Sequence, residues 1–335
     1  MIMKKIFDYV DQNFDRMMEE MKEFCSHRSV AGDKTGLEDW IDKKLSAVGI
    51  PHEFQKVENG NALISASVSG EDGDKHPSLL FYNHYDVVEE GKHELWSNEP
   101  FGPVIRDGVL YGRGVSDNKG PLLSRIQAEE AILAVEGKLP INVKFLFEGD
   151  EETSSPSLSK FSREQSEKFK ELSKADVCLW ENGRRDEEGR PWARFGVRGS
   201  VSFELSVETA KKDVHARMGT YVPSASWRLV WALASLKSAD ERITIEGFYD
   251  DVLPVTKKDE EILNAFPYNE KIQLEKLGLT SFLRGSSGLE LKKQIYMEPS
   301  MSVCGLEAGE LYNGARGIVP HKAYARIGFY LVANQ

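Results

Sequence analysis

Hydrophobic positions in the first 198 residues follow two different periods. Spacings of three and four residues predict helices, an early one over "IFDYVDQNFDRMMEEMKEF" and a later one over "NKGPLLSRIQAEEAILAVEG". Short and nearly continuous apolar runs, such as "SLLFYN" and "INVKFLFEG", are typical of strands that are buried on both faces. Strands that alternate with helices predict an α/β fold, in which a mixed, largely parallel sheet is flanked by helices.

The pattern changes at about residue 199. Alternation of apolar and polar positions predicts strands in "SVSFELSVET" and "AYARIGFYLVA", and a helical period covers "VPSASWRLVWALASLK". These elements indicate a smaller α+β unit with one exposed sheet face. We therefore predict two domains, residues 1–198 and residues 199–335, and the charged helical patterns between 240 and 298 leave the elements of that stretch undefined.

Composition restricts the classes of function. The chain has 335 residues, of which 40% are hydrophobic and 29% charged, as in a soluble protein of two domains. The formal net charge of −11 argues against a nucleic-acid surface and mildly against anionic membranes. Cys25, Cys178 and Cys304 form no CxxC pair, and the charged N-terminus has no apolar stretch long enough for a signal peptide or membrane span. We therefore expect a cytoplasmic protein with reduced thiols.

Chemically active side chains lie at or just beyond the ends of the predicted strands. They are His84, Asp86, Asp117, Glu151, Glu152 and Glu181. Each is weak evidence alone, because an H-x-D motif often merely ends a strand and a Glu-Glu pair is usually solvated. In an open α/β sheet, however, ligands bind beyond the carboxyl ends of the strands, so these separate segments are expected to converge. One imidazole with several carboxylates suits zinc, and a carboxylate shared by two ions is common in hydrolytic sites.

The chain resembles the di-zinc metallopeptidases that include aminoacylase, carnosine dipeptidase, acetylornithine deacetylase, succinyl-diaminopimelate desuccinylase and glutamate carboxypeptidase. The motifs that carry the resemblance are, in order, "FYNHYDVV", "LYGRGVSDNKGP", "FEGDEETSS" and "VCLWENG". The likeness continues through "GVRGSVSFELSVE", "DVHARMG" and the segment that starts at "SVCGLEAGELYNGARGIVP". It therefore covers nearly the whole chain, and it implies a zinc-peptidase-like catalytic domain with an inserted α+β, ferredoxin-like lid domain.

The resemblance also implies a set of metal ligands. His84, Asp117 and Glu181 would hold one zinc ion, and Asp117 would be shared with a second zinc ion that Glu152 binds. The carboxylate of Asp86 would accept the other ring N–H of His84 and so fix the tautomer of that ring. Cobalt or manganese could replace zinc in a site of this kind.

Two further residues would act in catalysis by the same resemblance. Glu151 would be the general base, which takes a proton from a metal-bound water and later gives it to the leaving amine. His215 would reach across a homodimer, formed through the lid, and stabilise the tetrahedral oxyanion in the active site of the partner. His27, His52, His76, His93 and His321 match no motif and are interpreted as ordinary surface or packing residues.

The sequence departs from the family near its C-terminus. A histidine of the part that follows the lid completes the second zinc site in the family, whereas this sequence ends at "FYLVANQ". Tyr330 stands where the family usually has an arginine. We therefore expect a truncated member in which the second site, with only Asp117 and Glu152, is weak and activity is impaired. Sheet edges and helix faces should be left uncovered, which favours marginal stability or association.

Three functions stay open at this point. The dipeptidase branch is favoured, with hydrolysis of amide bonds in dipeptides or small peptides, because the inserted lid region resembles that branch. A deacylase or desuccinylase of N-acyl amino acids is the nearest alternative. A zinc-binding or dimerisation scaffold without catalysis is the alternative from another class.

Overall fold

The computed structural model describes residues 2–32, 36–71, 73–183, 185–186, 188–310 and 317–335. The chain divides into two compact units, Met1–Ala193 and Arg194–Gln335. This division lies close to the domain boundary that the sequence pattern predicts after residue 198. Within the described residues, no helix combines the length and the apolar character needed to cross a membrane.

A mixed sheet runs through the first unit. The strands of this unit are β1 (His52–Gln55), β2 (Leu63–Val68), β3 (Ser78–His84), β4 (Val104–Arg106), β5 (Val109–Tyr111), β6 (Asn142–Glu148) and β7 (Val177–Trp180). Five of them form the sheet in the order β1-β2-β6-β3-β7, and β4 and β5 form a separate hairpin. β3 is parallel to both β6 and β7, whereas β2 is antiparallel to β1 and β6. The predicted mixed sheet is confirmed, and its parallel part consists of β6, β3 and β7.

The α-helices among the described residues of the first unit are α1 (Ile2–Ser26), α2 (Glu38–Val48), α3 (Lys119–Glu136), α4 (Pro156–Glu164) and α5 (Ser166–Ser173). Gly49 (φ +80°) and Gly137 (φ +71°) end α2 and α3 in the left-handed conformation that glycine adopts most easily. The sequence predicts one continuous helix over "SLSKFSREQSEKFKELSK", but the chain turns at Gln165 (φ −126°, ψ 49°) and separates α4 from α5.

The apolar core of the first unit supports the ends of the parallel strands. Core side chains fully shielded from solvent include Phe24, Ile41, Leu45, Tyr85, Leu123, Ile126 and Phe147. Burial of such a side chain stabilises the fold by about 1.5–3 kcal/mol. Phe81 of β3 stacks on Phe145 of β6 with ring centroids 5.4 Å apart. Helix α3 lies in the connection between β3 and β6, so the loop that precedes α3 reaches the carboxyl end of the sheet.

Strand β7 is an open edge. Among the described residues it pairs only with β3. Its apolar side chains Val177, Leu179 and Trp180 are 56%, 46% and 60% exposed. An exposed apolar edge strand is a site at which another chain can pair.

The second unit contains a three-stranded antiparallel sheet. Its elements are β8 (Ser200–Glu208), β9 (Val214–His215), α6 (Ala225–Leu236), α7 (Lys257–Ala265), α8 (Glu270–Leu277), α9 (Gly288–Met297), β10 (Ser300–Ala308), β11 (Ile318–Val319) and β12 (Lys322–Tyr330). The sheet order is β10-β12-β8, and α6 packs on it through Ala225 and Leu229 against Ala323 and Ala325. The α+β character predicted for this part is confirmed, and the charged patterns between 240 and 298 form α7, α8 and α9. Residues 311–316, in the segment that starts at "SVCGLEAGELYNGARGIVP", lie outside the described residues.

Candidate metal centre

Four chain segments meet at the carboxyl ends of β3, β6 and β7. His84 is the last residue of β3, and Glu181 directly follows β7. Glu151 and Glu152 lie in a short 3-10 turn just after β6. Asp117 precedes α3, and its peptide bond to the next residue is cis. Because the three strands are parallel, their ends share one edge of the sheet, where the sequence places these residues.

His84 is the centre of the cluster. Its side chain is 1% exposed, and its Nε2 atom lies 3.1 Å from Asp117 Oδ1 and 3.9 Å from Glu151 Oε2. Donor atoms fall into two sets within which all lie at most 4.8 Å apart, one of His84, Asp117 and Glu152 and one of His84, Glu151 and Glu181. Both sets thus share the same imidazole.

Asp86 orients His84 from behind. The Nδ1 atom of His84 donates to the main-chain carbonyl of Asp86 at 3.1 Å, and Asp86 Oδ1 lies 3.3 Å from the same nitrogen. A carbonyl oxygen can only accept, so Nδ1 keeps its proton, and the imidazolium also donates from Nε2 to Asp117 Oδ1 at 3.1 Å. Loss of the Nε2 proton would make the lone pair of this nitrogen available to a metal ion. Asp86 Oδ2 accepts the backbone N–H of Glu152 at 3.0 Å and thereby joins two of the segments.

The cluster carries an excess of negative charge. Burial lowers the pKa of His84, but the hydrogen bond to Asp86 and the charges of Asp86, Glu151 and Asp117 outweigh it and raise that pKa to about 9. Burial raises the pKa values of Glu151 and Glu152, and neighbouring carboxylates add to this against the opposing effect of His84. The carboxylates around His84 thus outnumber its single positive charge.

The donor chemistry fits a divalent metal ion. One imidazole nitrogen and carboxylate oxygens are ligands of zinc, cobalt and manganese. The carboxylate of Asp86 is fully buried, and its Oδ1 atom lies 3.3 Å from Nδ1 of the ring that would bind the ion. The donor atom of Glu181 lies in the same set as that of Glu151, whereas the donor atom of Asp117 lies in the set of Glu152.

The comparison with known proteins decides the family. The model of Peptidase family M20/M25/M40 matches residues 80–275, which is more than half of the chain. The chain belongs to this family. The matched range contains all of the candidate site residues, from His84 to His215. The family predicted from the motifs and the predicted enzyme class, a metallopeptidase, are thus confirmed.

Relatives of this M20 family chain align along its whole length. A Beta-Ala-His dipeptidase of Rattus norvegicus is 27% identical over 99% of this chain and 70% of the relative. A Cys-Gly metallodipeptidase of Schizosaccharomyces pombe is 26% identical over 100% of this chain and 73% of the relative. The crystal structure of an M20 family metallo-carboxypeptidase from Sulfolobus solfataricus superposes with a TM-score of 0.85 at 29% identity, covering 95% of this chain and 72% of that chain.

Sequence reasoning missed buried acidic groups that lie just before Glu151 and Glu152 in this M20 peptidase. Glu148, at the end of β6, is fully buried, accepts hydrogen bonds from Tyr82 and Ser155, and has its pKa raised to about 7 by burial. Asp150 accepts from Ser157, and burial raises its pKa as well. The acidic run "FEGDEE" was the available signal, although it did not separate buried acids from exposed ones.

His215 lies in the second unit, on the short strand β9. Its Nδ1 accepts the backbone N–H of Arg217 at 3.2 Å, and the side chain is exposed. His321, which matches no motif, is bound to Asp213 through its backbone N–H at 2.9 Å and through its ring at 2.5 Å. The pair Asp213 and His321 thus fixes the chain next to His215.

Proposed function

We propose that this chain hydrolyses dipeptides with the help of divalent metal ions. The observation that carries the proposal is the convergence of one buried imidazole and four carboxylates at a single sheet edge. The two relatives named above are dipeptidases by name and align over 99% and 100% of this chain. Small peptides are therefore the substrate class, ahead of N-acyl amino acids.

The metal ligands would be His84, Asp117, Glu152 and Glu181. A bound zinc ion would polarise the scissile carbonyl and make a water molecule more acidic. The protein would orient the imidazole through Asp86, whose carbonyl fixes the tautomer with Nε2 free. The hydrogen bond from the backbone N–H of Glu152 to Asp86 would hold the segments of His84 and Glu152 in fixed relative positions.

Glu151 would serve as the general base. Its Oε2 atom lies 3.9 Å from His84 Nε2, so it borders the place where a metal and its water would lie. Burial raises the pKa of Glu151, which makes this carboxylate a stronger base than one in water. It would take the proton of the attacking water and pass it to the leaving amine nitrogen. His215, supplied by the second subunit of a homodimer, would stabilise the oxyanion.

We further propose that the 335-residue chain binds one metal ion more tightly than a second. Both donor sets contain His84, and its Nδ1 is used by Asp86, so Nε2 can join only one ion. The other ion would then have carboxylate donors alone among the described residues of these sets, which is a weaker site for zinc. The number of zinc ions bound per chain tests this proposal. Binding of two zinc ions with equal affinity, together with unimpaired hydrolysis of dipeptides, would contradict it.

The function is tested by comparing wild type with Glu151→Gln in a zinc-dependent dipeptide hydrolysis assay. We expect the variant to lose about 10²–10⁴-fold in kcat while zinc binding persists, because a general base contributes about that much. Glu167→Gln is the matched control, since Glu167 is 86% exposed on α5. Equal absence of hydrolysis in all three proteins would support the scaffold alternative, and turnover of N-acyl amino acids in preference to dipeptides would support the deacylase alternative.

A further inference from the structure

We propose that Arg125 is a positioning residue that fixes the geometry of the metal centre by joining the chain segments that carry its ligands. The inference rests on the metal centre of the proposed function and concerns a residue outside its ligand set. Arg125 lies in the second turn of α3, the helix that begins just after Asp117. From there its side chain reaches the ends of β3 and β7.

One guanidinium binds both strand ends. Nη1 of Arg125 donates to the carbonyl of Tyr82 at 3.0 Å, to the carbonyl of Leu179 at 3.2 Å and to Asn83 Oδ1. Nη2 donates to the carbonyl of Glu181. Asn83 is the residue before His84, and Glu181 is itself a candidate ligand. A single side chain thus binds the chain just before His84 and, at the end of β7, the carbonyls of Leu179 and Glu181.

Asn83 extends the connection to the third segment. Its Nδ2 donates to Asn118 Oδ1, and both asparagines are fully buried. Asn118 directly follows Asp117, so the relay from Arg125 through Asn83 ends beside the candidate bridging ligand. The three segments that carry His84, Asp117 and Glu181 are therefore cross-linked by side-chain hydrogen bonds.

Glu181 needs such support because its backbone is in an unfavourable conformation. Its φ angle is +45°, in the left-handed region that residues with a Cβ rarely adopt. Its N–H donates to the carbonyl of Tyr82 at 2.8 Å, and its carbonyl accepts from Arg125. Hydrogen bonds to the N–H and to the carbonyl of Glu181 hold its backbone in this conformation.

Arginine suits this position better than lysine. Its planar fork offers five N–H donors in fixed directions, whereas an ammonium has three donors on a flexible stem. The guanidinium also lies over the ring of Phe81, 5.1 Å from the centroid, which restricts its orientation. All four hydrogen-bond acceptors are uncharged oxygens, so the network holds the loops without adding negative charge to the centre.

The test measures zinc affinity, by competition with a chromophoric chelator, for wild type, Arg125→Lys and Arg125→Met. We expect about 10-fold or greater weakening for Arg125→Met and a smaller loss for Arg125→Lys, because outer partners of metal ligands typically contribute about 10–100-fold. Arg163→Met is the matched control, since Arg163 is an exposed arginine of α4 in the same unit. Circular dichroism of the metal-free proteins verifies that each variant is folded.

A coupled measurement separates positioning from a general loss of stability. Asn83→Ser should weaken zinc binding too, and the double variant with Arg125→Lys should lose less than the sum of the two single effects. This comparison also serves if Arg125→Met does not fold. Wild-type zinc affinity in folded Arg125→Lys and Asn83→Ser would overturn the inference. Weakened zinc binding in a chain that hydrolyses no dipeptide would support the inference and refute the proposed function instead.

Discussion

The raised pKa of His84 predicts that the metal-free protein loses stability as the pH rises. The folded state holds the imidazolium proton with a pKa of about 9, whereas the ordinary value is 6.5. A group whose pKa is raised on folding contributes its full stabilisation below the unfolded value. That contribution disappears as the pH passes through the folded value.

The magnitude follows from the size of the shift. Between 6.5 and about 9 the difference is about 2.5 pKa units, and each unit corresponds to about 1.36 kcal/mol, so His84 contributes about 3 kcal/mol. The side chain is only 1% exposed, so solvent screening reduces this little. The raised pKa values of Glu151 and Glu152 act in the same direction, but their contribution starts to decline at lower pH, near the ordinary value of 4.5.

Hydrogen exchange of the amides in β3 and β6 measures this effect within the first unit. After correction for intrinsic exchange, the free energy of their slowest opening in the presence of a chelator should fall by about 3 kcal/mol between pH 6.5 and 9. His84→Asn should flatten that dependence, and His93→Asn, at a site 60% exposed, should not. Zinc should also flatten it, because the ion takes the place of the proton on Nε2. The same pH dependence in wild type and His84→Asn would refute the reasoning.

Three further results are expected. Asp86→Asn should weaken zinc binding by about 10–100-fold, because it disturbs the support of both His84 and the Glu152 backbone, and unchanged affinity would contradict that role. Glu148→Gln should raise the free energy of unfolding at pH 8 by up to about 3 kcal/mol. The Glu148 pKa is raised to about 7, so the contribution of this group to stability is complete below pH 4.5 and is lost as the pH rises through 7. An unchanged free energy of unfolding for the variant, measured by urea unfolding, would contradict this. Phe147→Ala should cost about 3–5 kcal/mol in the same experiment, since this core side chain is fully buried, and a loss below about 1 kcal/mol would contradict the packing.

The sequence predicts the contents of the site better than its internal arrangement. His84, Glu151 and Glu181 follow apolar runs, and the carboxyl ends of parallel strands share one edge, so their convergence could be inferred from local patterns. The grouping of Glu181 with Glu151 and of Asp117 with Glu152 depends on loop conformations. Such conformations, like the left-handed backbone of Glu181, are set by tertiary contacts and leave no periodic signal.

Arg125 illustrates why other functional side chains are not visible in the sequence. It belongs to an ordinary helical period in "NKGPLLSRIQAEEAILAVEG", where an arginine normally faces solvent. Its acceptors are mainly backbone carbonyls, which any residue supplies. The break at Gln165 is hidden for a similar reason, because both α4 and α5 have acceptable helical patterns. Contacts with the backbone thus escape motif-based reasoning.

The charges of the candidate metal centre also affect the stability of the first unit. Buried carboxylates around His84 repel one another, and the folded chain compensates by holding a proton on the imidazole. A divalent ion would compensate more fully and would stabilise the folded state by mass action. The cross-links through Arg125 would then have a separate purpose, since they keep the ligand segments joined and aligned while their carboxylates repel one another. On this reasoning, loss of Arg125 should lower the stability of the folded state most in the metal-free protein at high pH. Under those conditions neither a proton on His84 nor a metal ion balances the carboxylates.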